Sequence, residues 1–290
     1  MGCALHPFCA ANDSKIIFNN SNNETTINRE IQAAFLRRSG ITFDSVYFNS
    51  EVKQINEFSL REAEELNQYF FYFIGEMVSL QGAYKDEYKV DKLKQLYEAT
   101  KVGLQIPKTI VTTSKINLLD FICSKLKSEI IIKPITNQFN FHFEGEAWSS
   151  NGTQIFNKDD IDNLPDVFFP TLFQERIQKA YEIRVFFYEN TFWSMAIFSQ
   201  GNDKTKVDFR NYDDESPNRC VPYSLDSKLL SKIKKLIKNL NYKTGSIDLI
   251  ATEDDFIFLE INLSGQFTMV SRPCNYYIEE YIAKSILKEK

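Results

Sequence analysis

Several features that mark common protein classes are scarce or absent in this sequence. Its 290 residues include only 5 cysteines, at positions 3, 9, 123, 220 and 274, and no two of them form a Cys-x-x-Cys pair. An odd, scattered set of cysteines favours reduced thiols over a disulfide framework. No apolar run approaches the length of a membrane span, and the first residues lack the basic flank and long apolar region of a signal peptide. These absences predict a cytoplasmic protein with no membrane partner.

Two further absences concern ligands. Acidic residues outnumber basic residues by 39 to 34, for a net charge of −5, so no basic excess indicates a nucleic-acid partner. No Gly-x-Gly-x-x-Gly or Gly-x-x-x-x-Gly-Lys loop for phosphates is present. Cys3, His6 and Cys9 have a metal-like spacing, but near a chain terminus we expect a disordered tail. Hydrophobic residues, by contrast, make up 43% of the chain, which is ample for a core in one to three domains.

The most informative stretch lies near the end of the chain. Two apolar runs, 245–250 and 256–262, flank an acidic turn and predict a β-hairpin. Asp248 interrupts the first run, whereas Glu260 and Asn262 interrupt the second, two positions apart and therefore on one face. A buried carboxylate is costly unless it is paired or bound to a cation, and three oxygen donors on paired strands suit Mg²⁺. The alternative, a hairpin with solvated carboxylates, explains the turn but not the carboxylates inside the apolar runs.

Apolar periodicity predicts helices and strands along the rest of the chain. Residues 59–80 form a predicted helix with an apolar stripe assigned to the core, Ser59 as N-cap and Glu62 as capping-box partner. The polar run 19–28 predicts a loop, and the aromatic, Asn-rich stretch 136–154 predicts a mobile hairpin. Further helices are predicted at 91–101, 115–127, 227–239 and 276–287, and strands at 15–18, 31–36, 105–111, 129–134, 168–177, 180–187 and 192–198.

Lys133 and Arg184, both outside the hairpin, are candidates for binding an anion. Lys133 is the last residue of an apolar strand. Its ammonium group either binds a partner such as a polyphosphate or reaches solvent, with the aliphatic part of the side chain buried. Glu182 and Arg184 share one face of an alternating strand. They form either an ion pair on a solvated face or a site in which the arginine lies over phosphates. Arg210 stands just before an acidic loop.

Eight short motifs follow one another along the chain: Asp91-Lys92-Leu93, Gly103-Leu104, Ile106-Pro107-Lys108-Thr109, Ile132-Lys133-Pro134, Gln174-Glu175-Arg176-Ile177, Glu182-Ile183-Arg184, Asp208-Phe209-Arg210-Asn211, and the set Asp248, Glu260 and Asn262. The order of these motifs resembles the ATP-grasp superfamily over roughly residues 88–290. The resemblance implies an α+β ATP-grasp fold in which a nucleotide is held between two α+β subdomains, 89–172 and 173–290. A small N-terminal α/β domain, 1–88, would precede them, with its first strand and helix either missing or diverged.

The resemblance also implies a role for each candidate residue, with ATP and Mg²⁺ as cofactors. Two lysines would bind the phosphates, a four-residue hinge would bind adenine, and three oxygen donors would hold the metal. The implied assignments are Lys92 and Lys133 for phosphates, Gln174, Glu175, Arg176 and Ile177 for adenine, Glu182 for ribose or for orienting Arg184, Arg184 for the transferring phosphoryl group, Arg210 for the acyl phosphate or acceptor carboxylate, and Asp248, Glu260 and Asn262 for Mg²⁺.

Within that superfamily the chain resembles the graspetide ligases, which mature ribosomally made peptides. The features are the run 34–40, followed by a long aromatic helix, and the ending 259–267. The resemblance implies a homodimeric macrocyclase that acts on a precursor peptide with a leader and a core. A carboxylate–amine ligase for a small molecule or a protein C-terminus, and an inactive peptide-binding relative, stay open as alternatives. Two departures are the glycine-poor segment 135–140 and the lack of a recognisable βαβ opening.

Overall fold

The computed structural model describes residues 2–5, 16–20, 23–27, 33–36, 50–82, 91–125, 129–136, 140–143, 146–149, 152–201 and 215–288. The chain divides into two compact units. The first comprises Met1–Glu87 with Glu280–Lys290, and the second comprises Tyr88–Glu279. The predicted boundary between residues 172 and 173 stays a prediction.

The first unit contains two small sheets. Strands β1 (Gly2–Leu5), β2 (Ile16–Asn20) and β3 (Asn23–Ile27) form an antiparallel sheet in that order. Strands β4 (Ala33–Leu36) and β5 (Ser79–Gly82) pair in parallel, and helix α1 (Lys53–Met77) connects them. This is a βαβ unit, so the expectation that the chain lacks one was wrong. Parallel strands need such a crossover. The sequence predicted the first strand, at 31–36, but not the second strand of the unit, β5.

Two expectations about polar segments of this unit were also wrong. The run 19–28 is not a loop, because it supplies most of a β2–β3 hairpin in which Asn20 lies opposite Asn23. Asn is favoured in tight turns, and the β-branched residues that follow favour a strand. Residues 2–5 pair with β2 and are therefore not a disordered tail, whereas His6 and Cys9 lie outside the described residues.

Helix α1 begins at Lys53, six residues before the predicted start. Its N-cap is Val52, not Ser59, and Val52 makes no side-chain cap bond. Instead, Asn56 accepts a hydrogen bond from the Ser50 backbone nitrogen (2.9 Å) and donates one to the Ser50 carbonyl (2.8 Å). This reciprocal pair orders the chain ahead of the helix, as a capping box would. Phe73 of the predicted apolar stripe and its neighbour Ile74 are buried, but Leu60, which the same helical spacing places in that stripe, is 55% exposed.

The first sheet of the second unit has four antiparallel strands in the order β10-β7-β11-β6. These are β6 (Thr109–Ser114), β7 (Ile130–Lys133), β10 (Gln154–Phe156) and β11 (Val167–Glu175). Leu118, Ile130 and Phe173 form its buried core. Strands β8 (Asn140–Phe143) and β9 (Glu146–Ser149) form the hairpin predicted for 136–154. The accompanying helices are α2 (Lys92–Lys101), α3 (Lys115–Lys125) and α4 (Lys158–Asp162).

The second sheet has five antiparallel strands in the order β14-β13-β12-β15-β16. The strands are β12 (Tyr181–Tyr188), β13 (Thr191–Phe198), β14 (Arg219–Tyr223), β15 (Thr244–Ala251) and β16 (Phe256–Asn262). Every residue of β15 is buried, which matches the apolar run in the sequence. The helices are α5 (Ser227–Leu240), α6 (Thr268–Cys274) and α7 (Ile278–Lys288). Sequence periodicity predicted α5 and α7 but missed the short helices α4 and α6.

Helix α5 illustrates how local chemistry sets an element. Asp226 accepts hydrogen bonds from the Lys228 and Leu229 backbone nitrogens at 2.8 and 2.9 Å, so it caps the helix start. Asn241 takes the left-handed conformation at the other end, with φ of 57°. Ile233 and Leu236 on its inner face are fully buried.

In the described part of the chain, no helix has both the length and the apolar character that crossing a membrane requires.

Candidate active site

A cavity of about 320 Å³ in the second unit is lined by residues from both of its sheets. Strands β7 and β11 supply one wall, and β12, β15 and β16 supply the other. Most of the residues singled out from the sequence line this one cavity, although they are scattered over more than a hundred positions. They are Lys133, Gln174, Glu175, Arg176, Ile177, Glu182, Asp248 and Glu260.

Three charged residues lie in register across adjacent strands of the second sheet. Arg184 on β12 is paired with Asp248 on β15, and Asp248 is paired with Glu260 on β16. Arg184 Nη1 donates to Asp248 Oδ1 at 2.9 Å and to Oδ2 at 3.2 Å. Both residues are buried, at 5% and 6% exposure. The two charges therefore compensate each other in a low-dielectric environment, where neither would be stable alone.

This pairing excludes one of the two interpretations of Glu182 and Arg184, and the other stays a prediction. They are buried, and each has its own partner, so they are not an ion pair on a solvated face. Glu182 pairs with Lys179 and accepts a hydrogen bond from Ser199 Oγ at 2.6 Å. Lys179 lines the cavity and was missed by the sequence reasoning. The available signal was its position three residues ahead of a carboxylate that interrupts an apolar strand.

Lys92 lies at the start of α2, as the motif predicted, but does not line the cavity. Its Nζ is 4.0 Å from Glu260 Oε2. It also donates to the carbonyl oxygens of Pro134 (3.1 Å) and Thr136 (2.9 Å). The lysine thus holds the segment that follows Lys133 close to the carboxylate of β16.

The hinge segment is held from both sides by backbone and side-chain contacts. Glu175 N donates to the Lys108 carbonyl at 2.9 Å, and the Lys108 ammonium is 3.6 Å from Glu175 Oε1. Gln174 Nε2 donates to Thr109 Oγ1 at 3.0 Å. Arg176 forms an ion pair with Glu129. These contacts fix a continuous stretch of backbone along the cavity wall, which is what recognition of a flat base through main-chain groups requires.

Two of the three predicted metal ligands line the cavity, and the third does not. Asp248 and Glu260 line the cavity, whereas Asn262 does not, and its Oδ1 accepts a hydrogen bond from Ser264 Oγ at 2.9 Å. Across the described ranges, no group of three or more His, Cys, Asp or Glu side chains could hold a metal ion. The two carboxylates that do line the cavity nonetheless fit Mg²⁺, which binds through one or two carboxylates, water and substrate phosphates. The ion pair with Arg184 leaves Asp248 with further lone pairs to offer.

One thiol lies near the site. Burial raises the pKa of the Cys220 thiol above its ordinary value of 9.0, and the negative charge of Glu182 raises it further. The thiol is therefore protonated at neutral pH and is not poised as a nucleophile.

Arg210, the second predicted catalytic residue, lies outside the described residues, and its role stays a prediction.

The same architecture occurs in solved structures of peptide-modifying ligases. Macrocyclase MdnC from Microcystis aeruginosa MRC, bound with the precursor peptide MdnA, superposes with a TM-score of 0.76 at 25% identity, over 99% of this chain and 88% of that chain. A RiPP-associated ATP-grasp ligase from Chryseobacterium gregarium, in complex with ADP and a leader and core peptide, gives a TM-score of 0.72 at 23% identity, over 98% and 83% of the two chains. This chain has the ATP-grasp fold.

A third ATP-grasp structure extends the comparison. PsnB, complexed with minimal precursor, Mg and ADP, gives a TM-score of 0.68 at 14% identity, over 95% of this chain and 84% of that chain. Comparison of the sequence with models of protein families and with curated proteins gave no match. The resemblance to ATP-grasp ligases of the graspetide type and the α+β ATP-grasp fold, both predicted from the sequence, are confirmed.

The buried ion pair leads to a prediction about the stability of this ATP-grasp protein. We expect Arg184→Met and Asp248→Leu each to lower the free energy of unfolding by about 3–5 kcal/mol, because each leaves one buried charge without its partner. The double variant should lose less than the sum of the two. Urea denaturation of the four proteins measures these differences.

The control is Lys284→Ala, which removes an exposed ion pair with Glu280 (3.2 Å) and should change stability by less than about 1 kcal/mol. Additive losses in the double variant would contradict the buried pairing. Loss of activity in Arg184→Met alone would not assign a catalytic role, since the fold is weakened at the same time.

The turn after β16 generates a second prediction. A Cβ on Gly265 would overlap Ser246 Oγ and lie 2.8 Å from the Asn262 carbonyl oxygen. We therefore expect Gly265→Ala to displace the end of β16 and to lower the melting temperature. The matched control is Gly201→Ala, since among the described residues, its chain neighbours apart, no atom lies within 4 Å of a Cβ built there. Equal melting temperatures for the two variants, measured by calorimetry, would argue against this close approach.

Proposed function

We propose that this protein is an ATP- and Mg²⁺-dependent ligase that crosslinks a ribosomally made precursor peptide. It would activate Asp or Glu side chains of the peptide as acyl phosphates and join them to Ser or Thr hydroxyls or Lys amines. The products would be ω-ester or ω-amide rings. The observation that carries the proposal is that one cavity is lined by the 174–177 segment, by Lys133 and by the carboxylates of Asp248 and Glu260.

Charge placement supports this assignment. A triphosphate needs cationic groups on one side and a metal held by oxygen donors on the other. Lys133 lines the cavity, and the Lys92 ammonium lies 4.0 Å from Glu260. Asp248 and Glu260, with Asn262, would hold Mg²⁺. When bound, this ion supplies charge neutralisation of the phosphates.

The reaction would proceed in two steps. An oxygen of the peptide carboxylate attacks the γ-phosphorus of ATP and the bond to ADP breaks, which gives an acyl phosphate. A hydroxyl or amine of the same peptide then attacks the acyl carbon, loses its proton and expels phosphate. The protein contributes mainly positioning and charge stabilisation. Arg184, held by Asp248, would face the transferring phosphoryl group, and Arg210 would face the acyl phosphate or the acceptor carboxylate.

The complexes of related proteins support a peptide substrate for this chain. MdnC is bound with its precursor peptide, and the Chryseobacterium ligase is bound with ADP and a leader and core peptide. We therefore propose a precursor peptide with leader and core as the partner. A homodimer and a cytoplasmic location remain our expectations, the first of which sedimentation would test.

Mass spectrometry tests the proposed reaction. The protein would be incubated with ATP, Mg²⁺ and a peptide encoded by a neighbouring small reading frame that alternates Thr/Ser-rich and Glu/Asp-rich segments. We expect the loss of one water mass for each crosslink, and no change when the metal is chelated. A gain in mass would instead indicate conjugation by a carboxylate–amine ligase. No ATP consumption with any such peptide would contradict an enzymatic role.

A carboxylate variant tests the metal assignment separately. We expect Glu260→Gln to weaken Mg²⁺-dependent ADP binding about tenfold or more, equivalent to about 1.4 kcal/mol, because a neutral amide is a poorer ligand for this ion. Isothermal titration calorimetry measures the affinity. The control is Glu253→Gln, in the exposed turn of the same hairpin, which should bind ADP as the native protein does. Unchanged affinity in both variants would remove the metal assignment.

A further inference from the structure

One buried side chain contacts β16 near the end of the strand, beside the predicted metal ligands. Gln95 lies on α2, three residues after Lys92, and is 2% exposed. Its Nε2 donates to the Ile261 carbonyl at 2.9 Å, and its Oε1 accepts from the Ile261 backbone nitrogen at 2.8 Å. Ile261 stands between Glu260 and Asn262, two of the three predicted metal ligands.

The contact replaces the backbone pairing that a further strand would supply. Strand β16 ends the described strand order, so only its β15 side carries a regular ladder, in which Ile261 is paired with Ile247. On its other side, the Gln105 carbonyl accepts from Phe258 N at 2.8 Å, and the Gln95 amide satisfies both polar groups of Ile261. A backbone nitrogen only donates and a carbonyl only accepts, so the orientation of the amide is determined.

We propose that Gln95 is a positioning residue for the metal site, an inference that rests on the proposed function. Two hydrogen bonds to one residue fix both the height and the rotation of the strand at that point. Because side chains alternate along a strand, fixing Ile261 directs Glu260 and Asn262 to the same opposite face. The same helix carries Lys92, whose ammonium is 4.0 Å from Glu260. Gln95 thus sets the distance between a phosphate lysine and the carboxylate.

A merely structural role would be to cover the edge of β16. The two roles differ in what they predict at equal stability. If Gln95 only covers the edge, its loss should affect metal binding no more than the loss of any buried neighbour on α2. If it positions the ligands, metal affinity should fall even where the protein is fully folded, as is found for groups that orient metal ligands.

The test compares Gln95→Met with Leu96→Ala. Met keeps the length of the side chain but removes both hydrogen bonds, whereas Leu96 is the buried neighbour on the same helix. Electron paramagnetic resonance of Mn²⁺ in the presence of ADP measures metal affinity, and urea denaturation measures stability. We expect Gln95→Met to weaken Mn²⁺ binding about 10- to 100-fold and to broaden its spectrum, and Leu96→Ala to leave the affinity within about twofold.

A second variant keeps the test open if Gln95→Met folds poorly. The carboxyl group of Gln95→Glu can donate to Ile261 only when protonated, so its Mn²⁺ affinity relative to the native protein should recover as the pH falls. Equal losses in Gln95→Met and Leu96→Ala, or no recovery at low pH, would overturn the positioning role alone. Failure of the native protein to bind Mn²⁺ with ADP would overturn the proposed function and this inference together.

Discussion

A buried ion pair between neighbouring strands, Arg184 on β12 and Asp248 on β15, is the constraint on which the rest of the site depends. Its charges are stable inside the sheet only because each neutralises the other. The surrounding strands must therefore hold their register, since a shift of one residue would turn one charge to the opposite face. Fully buried apolar neighbours such as Val185, Ile247 and Leu249 oppose such a shift, because it would move them to the face that carries the two charges. The apolar sheet thus serves to place two charges, and Glu260 follows in register on the next strand.

Helix α2 relates the two walls of the cavity to each other. Lys92 at its first turn donates to carbonyl oxygens just beyond β7, in the four-stranded sheet. Gln95 binds Ile261 on β16, in the five-stranded sheet. A rigid helix with contacts to both sheets keeps Lys92 and the segment after Lys133 close to the carboxylate of Glu260. Such preorganisation lowers the cost of assembling the site when substrate binds.

The same helix bears on one departure from the family pattern. Residues 135–140, which follow Lys133, include no glycine. Their backbone amides are therefore less free to approach phosphates closely. In this structure the carbonyl oxygens at Pro134 and Thr136 accept hydrogen bonds from Lys92. A side chain from another element therefore holds this segment, instead of its own backbone conformation. Hydrogen bonds from Lys92 thus place this segment beside the cavity, where glycines do so in the ATP-grasp pattern.

Local patterns in the sequence were enough to predict the hairpin of β15 and β16, the helices α2, α3, α5 and α7, and the candidate residues at Asp248 and Glu260. Each of these depends on periodicity or on a charge inside an apolar run, which neighbouring residues determine. Tertiary structure alone decided which groups pair: Arg184 with Asp248 instead of Glu182, Lys179 with Glu182, and Gln95 with Ile261. Gln95 and Ile261 are 166 positions apart, and no local pattern reports a contact over that distance. It depends on how an entire helix packs on the edge of a sheet, and that packing is set by the core as a whole.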